Sequence, residues 1–125
     1  MGIRHSKKCE VLQDIKELVK TEKIVLFIEK QSKSSFEAIQ ICKRFLLKPF
    51  LIDIDSEPAR GPIIQALFQL SGNMKCPLVF VNGDFFGSIK ELKASVKTGE
   101  LALLLKKHQI PYQEVNEIQK LDLGL

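Results

Sequence analysis

Lys75-Cys76-Pro77-Leu78-Val79-Phe80-Val81-Asn82-Gly83-Asp84-Phe85-Phe86-Gly87 is the stretch around which the rest of the chain is arranged. Leu78 to Val81 is a short apolar run of the kind that forms a buried strand. Asn82-Gly83 is the strongest two-residue hairpin signal, and Asp84 to Phe86 can pair back across it. Proline has no backbone donor to offer a ladder, so beside a core strand it is tolerated at the first residue or in a turn, and Pro77 stands at that entrance. An X-Pro bond is cis in only about one case in twenty in folded proteins, so the local sequence by itself favours trans at Cys76-Pro77.

Two more apolar runs flank this hairpin: Ile24-Val25-Leu26-Phe27-Ile28 and Phe50-Leu51-Ile52-Asp53-Ile54-Asp55. Helical spacing fills the intervals. From Glu10 to Lys20 the apolar residues are Val11, Leu12, Ile15, Leu18 and Val19, an amphipathic helix suited to covering a sheet. Ser34-Ser35-Phe36-Glu37 has the spacing of a capping box. It opens a helix expected to run toward Lys48 with Phe36, Ile39, Cys42, Phe45 and Leu46 inward, until Pro49 ends it. Ile63, Ile64, Leu67 and Phe68 mark a third helix that closes at Ser71-Gly72, where glycine suits a left-handed cap. Ile89, Leu92 and Val96 mark another, broken at Gly99, and Leu101, Leu104 and Leu105 one more. The tail from Pro111 has Val115, Ile118 and Leu121 on one face, which suits a loosely docked helix or a disordered end.

With 125 residues, 45% hydrophobic and 27% charged, the chain has material for one globular core. No run approaches the roughly 18 apolar residues of a membrane span, and no apolar signal segment opens the chain, so a cytoplasmic location is expected. Cys9, Cys42 and Cys76 are widely separated and make neither a Cys-x-x-Cys pair nor a zinc-ligand spacing with His5 and His108, so reduced thiols and no metal are expected. The net charge of +4 comes from scattered lysines without interleaved aromatics, a pattern that does not fit single-stranded nucleic acid.

Strand, helix, strand, helix, proline, hairpin, helix is the order of a thioredoxin fold. In detail, Lys23 to Ile28, Leu70-Ser71-Gly72, Cys76 to Gly83, Phe86-Gly87 and Thr98-Gly99-Glu100-Leu101 resemble a glutaredoxin, over roughly Lys23 to Lys107. The resemblance implies an α/β fold with a central four-stranded mixed sheet, helices on both faces, and a cis Pro77. It divides the chain into an N-terminal segment 1–9, a glutaredoxin-like domain 10–108 and a tail 109–125.

The resemblance also implies chemistry that this chain alters. Glutaredoxins exchange thiols and disulfides through a thiolate at a helix start, in a Cys-Pro-Tyr-Cys motif after the first strand. Those positions here are Ser32-Lys33-Ser34-Ser35, so Ser32 and Ser35 mark the lost cysteines. A serine hydroxyl is hardly ionised at neutral pH, and as a helix cap it has a structural role. For glutathione, the family's lysine after the first strand aligns with Glu29, with Lys30 beside it. The residue that meets the glycine carboxylate aligns near Ile64, with Gln65 and Arg60 as imperfect substitutes. The family's Gly-Gly-Cys-Asp reads Gly87-Ser88-Ile89-Lys90, placing a lysine against the ligand's ammonium. What the resemblance leaves for glutathione or a peptide is backbone at Cys76 and Pro77 and free N–H groups at the helix start near Ile89. Cys76 is either a residual thiol beside the site or a small residue filling the place before the proline.

Met1-Gly2-Ile3-Arg4-His5-Ser6 matches the myristoylation pattern, and Lys7, Lys8 and Cys9 follow it. One acyl chain binds membranes marginally, and a basic patch or a palmitoylated Cys9 supplies the second signal. The alternative is a chance glycine and serine. The expected function is a non-catalytic binding or scaffold module for a protein or peptide partner, held at the cytosolic face of a membrane if Gly2 is acylated. The competing reading is a weak glutathione-dependent thiol–disulfide oxidoreductase or glutathionyl transferase acting through Cys76.

Overall fold

The computed structural model describes residues 8–125; Gly2 lies outside the described residues, and of Cys9 only the backbone is described. Helix α1 (Lys8–Thr21) leads into strand β1 (Ile24–Ile28), followed by α2 (Lys33–Arg44) and β2 (Phe50–Asp53). A 3-10 turn (Ile54–Ser56) connects to α3 (Arg60–Ser71), then β3 (Leu78–Val81), β4 (Asp84–Gly87), α4 (Ile89–Thr98), α5 (Glu100–Lys107) and α6 (Glu117–Asp122).

The strands form one mixed sheet in the order β2-β1-β3-β4. β1 runs parallel to β2, with Val25 opposite Phe50, and antiparallel to β3, with Leu26 opposite Val79. The β3–β4 hairpin turns on Asn82 at φ 52° and Gly83 at φ 91°, both in the left-handed region, where the turn's twist matches that of the strands.

All five residues of β1 are buried because both faces of the sheet are covered. Ile24, Leu26 and Ile28 join Val79 and Val81 against α2, α4 and α5. Val25 and Phe27 join Leu78 and Phe80 against α1 and α3. On the latter face the Phe27 and Phe80 rings meet edge to face, centroids 5.7 Å apart at 76°. No helix of the described residues is long and apolar enough to cross a membrane.

Two expectations about helices need correction. α2 stops at Arg44, short of Lys48, because Leu46 turns left-handed at φ 55°; the Leu46 N–H then donates to the Lys43 carbonyl at 3.0 Å and the Leu47 N–H to the Cys42 carbonyl at 2.8 Å. This is a Schellman closure in which Leu47 is the buried apolar residue past the cap. Leu46 and Phe36, expected inward, are 62% and 60% exposed, and Ala38 and Ile41 point into the core instead. In the tail, Ile118 and Leu121 face solvent. The segment is held by Val115, Tyr112, Leu123 and Leu125 packing on the α2/α4/α5 cluster and by the Gln113 N–H donating to the Phe45 carbonyl at 2.8 Å.

Candidate functional site

The site expected from the sequence is built where β1 hands over to α2, facing the Cys76-Pro77 turn. Past Ile28 the chain makes a tight turn in which the Ser32 N–H donates to the Glu29 carbonyl at 2.9 Å. Ser32 is the N-cap of α2, extended at φ −81° and ψ 128°, and its hydroxyl accepts the Ser35 N–H at 3.2 Å. Ser35 is 1% exposed, and its hydroxyl accepts the Glu29 N–H at 3.1 Å. Each serine oxygen therefore satisfies a backbone donor of the turn, the arrangement that orphan N–H groups at a helix start require. The capping box expected at Ser34 and Glu37 does not form. Ser32 caps two residues earlier, Ser34 lies within the helix, and the Glu37 carboxylate instead accepts from the Lys93 ammonium at 2.8 Å.

Across the turn, the Cys76–Pro77 peptide is cis and Cys76 is nearly buried. Its N–H, part of the backbone that the resemblance leaves for glutathione or a peptide, is already occupied: it donates to Glu29 Oε1 at 3.3 Å. The other Glu29 oxygen, Oε2, lies 3.7 Å from Arg60 Nη2, and Arg60 Nε in turn donates to Asp55 Oδ1 at 3.0 Å. Arg60, a candidate for a ligand carboxylate, thus faces two carboxylates of its own chain. Burial pushes the Cys76 thiol up to about 12, reinforced by the Glu29 and Asp55 carboxylates and only partly opposed by Arg60. A thiol so placed is almost wholly protonated at neutral pH. Lys30, the other candidate after β1, is exposed.

The start of α4 is occupied in the same way. Glu91 Oε1 accepts both the N–H and the hydroxyl of Ser88, each at 2.8 Å, and these two bonds hold the Glu91 carboxyl below its usual range. One donor expected to be free for a ligand near Ile89 is therefore engaged, and Lys90 extends into solvent. Fit at this corner is tight: a Cβ on Gly87, whose φ is 154°, would lie 2.4 Å from Glu91 Cβ. The signal for this contact was present in Ser88-Ile89-Lys90-Glu91, which has capping-box spacing. Glu29 had no such local signal, because its partner lies 47 residues away.

No protein-family model matches the chain. Among curated proteins it is similar to Glutaredoxin-C13 of Arabidopsis thaliana, 34% identical over 96 residues that span 76% of this chain and 90% of the relative. Glutaredoxin-C14 of the same plant is 33% identical over 90 residues, spanning 71% of this chain and 88% of that one. Among solved structures, a buckwheat glutaredoxin–glutathione complex has a TM-score of 0.78 at 21% identity, covering 84% of this chain and 96% of the other. Oxidized glutaredoxin 2 from Chlamydomonas reinhardtii has a TM-score of 0.78 at 22% identity, covering 88% and 99%. At such identities the structural likeness speaks for the fold.

Proposed function

Given that the chain belongs to the glutaredoxin family, we propose that it is a member without thiol chemistry, a binding or scaffold module in which Ser32 and Ser35 stand where the family has its cysteines. The observation that carries this is the side chain at the cap of α2: a hydroxyl, used to accept the Ser35 N–H. Disulfide exchange needs a sulfur nucleophile that can form and release a mixed disulfide, and the helix start can favour a thiolate but cannot make serine into one. The buried Cys76 thiol, pushed up to about 12, is a poor replacement. The test is reduction of a small mixed disulfide with glutathione as electron donor. The rate should equal the protein-free background. A rate above background that disappears in Cys76→Ala would replace this reading with weak oxidoreductase or glutathionyl-transfer activity through Cys76.

A second part of the proposal concerns location. Gly2 with Ser6, followed by Lys7, Lys8 and Cys9, supports N-terminal acylation and attachment to the cytosolic face of a membrane. Intact mass of the protein made in a eukaryotic cell should show an acyl group on Gly2, and Gly2→Ala should move the protein to the soluble fraction. An unmodified N-terminus would remove the idea.

A further inference from the structure

We propose that Glu29 is an internal ligand of the Cys76-Pro77 turn, holding the backbone donor to which an extended peptide main chain would otherwise pair. The proposal rests on the reading of this fold as a binding module and adds what controls access to its site. Three observations carry it.

First, the bond is directed: Glu29 Oε1 accepts the Cys76 N–H at 3.3 Å, joining the end of β1 to the residue before the cis bond. An extended ligand lying along this turn would need that same N–H for its own carbonyl. Second, Glu29 is held at both ends. Its own N–H donates to the buried Ser35 hydroxyl at 3.1 Å, and its second carboxylate oxygen faces Arg60 at 3.7 Å, which Asp55 fixes at 3.0 Å. Third, the exchange on ligand entry is unfavourable. A charged acceptor binds an N–H more strongly than a neutral carbonyl does at the same length, so even against this long bond of 3.3 Å an incoming main chain gains little by the exchange. It would also have to turn the Glu29 carboxylate away from Arg60. The Cys76 N–H is therefore taken in the resting protein, and ligands with ordinary peptide carbonyls bind weakly unless Glu29 moves.

Peptide main chain can come from glutathione or from a protein segment, and two probes separate these sources: glutathione, and an acetylated, amidated five-residue alanine-valine peptide. Each is titrated into ¹⁵N-labelled wild type, Glu29→Ala, Glu29→Gln and Arg60→Ala, with the Cys76 amide shift as readout and circular dichroism confirming the fold of each variant. The wild-type amide should stay unmoved at millimolar probe. Glu29→Ala should bind at least one probe ten times more tightly or better, and the one it binds identifies the source. Glu29→Gln, which keeps the shape and removes the charge, should fall between, and it serves in place of Glu29→Ala should the alanine variant fail to fold. Equal affinities in wild type and in both Glu29 variants, including no binding by any of them, would overturn the proposal. Disulfide reductase activity in the wild type would refute the non-catalytic reading while leaving the shift measurement valid, because no turnover enters it.

Discussion

Replacing Ser32 by cysteine puts a thiol where the hydroxyl now accepts the Ser35 N–H at 3.2 Å, at the cap of a 12-residue helix. A negative charge at a helix N-terminus gains about 0.3–1 kcal/mol at an exposed position and up to about 2 kcal/mol at a partly buried one. At about 1.4 kcal/mol per pKa unit, that lowers the thiol by roughly 0.2–1.5 units from about 8.5, to somewhere near 7–8.3. Exposed Lys33 adds little, because solvent screens it. Cys76 lies at the opposite extreme, pushed up to about 12. For a new thiol near 7.5, the thiolate fraction at pH 7 exceeds that of Cys76 by about four orders of magnitude, and the weaker nucleophilicity of the more acidic thiolate returns about two of them. Alkylation at the new position should therefore outrun that at Cys76 by about a hundredfold or more. The assay is iodoacetamide labelling against pH in a Cys9→Ser background, resolved by peptide mass. A titration midpoint at or above 8.5, or labelling no faster than at Cys76, would refute the reasoning. Turnover with glutathione should remain poor in this variant, because Glu29, Ile64 and Lys90 are unchanged and a misplaced reactant loses orders of magnitude in rate.

Other outcomes follow from the same contacts. Ser35→Ala removes the acceptor of the Glu29 N–H from a buried position, which should cost about 1–3 kcal/mol and lower the denaturation midpoint by several degrees, whereas Ser35→Thr should recover part of the loss if the methyl fits. In the native wild type, Cys76 should react with iodoacetamide at pH 8 about 30-fold more slowly than in urea: its thiolate is about a thousandfold scarcer, and its higher nucleophilicity recovers part of that. Equal rates would show that the thiol is not held protonated. Burial also pushes Cys42 from its ordinary 9.0 up to about 12. The folded protein then keeps a proton that the unfolded chain releases, so the stability from this group is complete below pH 9 and is lost as pH rises toward 12. Urea melts at pH 8 and pH 11 should show a smaller alkaline loss in Cys42→Ala than in wild type. Leu105→Ala, at a fully buried position, should destabilise by about 2–5 kcal/mol with no effect on the Cys76 amide shift.

The strands were legible because β1 and β3 are short unbroken apolar runs, and Asn82-Gly83 fixes the hairpin through the backbone angles it permits. Helix existence was equally plain from spacing, but helix ends and facing were not. Phe36 and Leu46 fit an apolar stripe, yet the inward face is made by Ala38, Ile41, Cys42 and Phe45, and the left-handed turn at Leu46 carries that residue outward. At the site, the serines could be placed by counting from Ile28. What they bond to could not, because the Ser35–Glu29 and Glu29–Cys76 contacts exist only once the turn has closed and β3 has been brought beside β1. The Ser88–Glu91 pair is the opposite case, a local contact written in the residue spacing.

The sheet is also a partition. Leu26 and Phe27 are adjacent in the chain, but one belongs to the cluster with α2, α4 and α5 and the other to the cluster with α1 and α3. Energetic neighbourhood here follows the layer and not the sequence. A double-mutant cycle between Phe27 and Leu26 should be close to additive despite their shared peptide bond. Leu26 and Leu105, far apart in the chain, lie in the same cluster and are the kind of pair that can couple. Each face of the molecule can accordingly accumulate substitutions on its own account, with β1 as the element through which both histories must remain compatible.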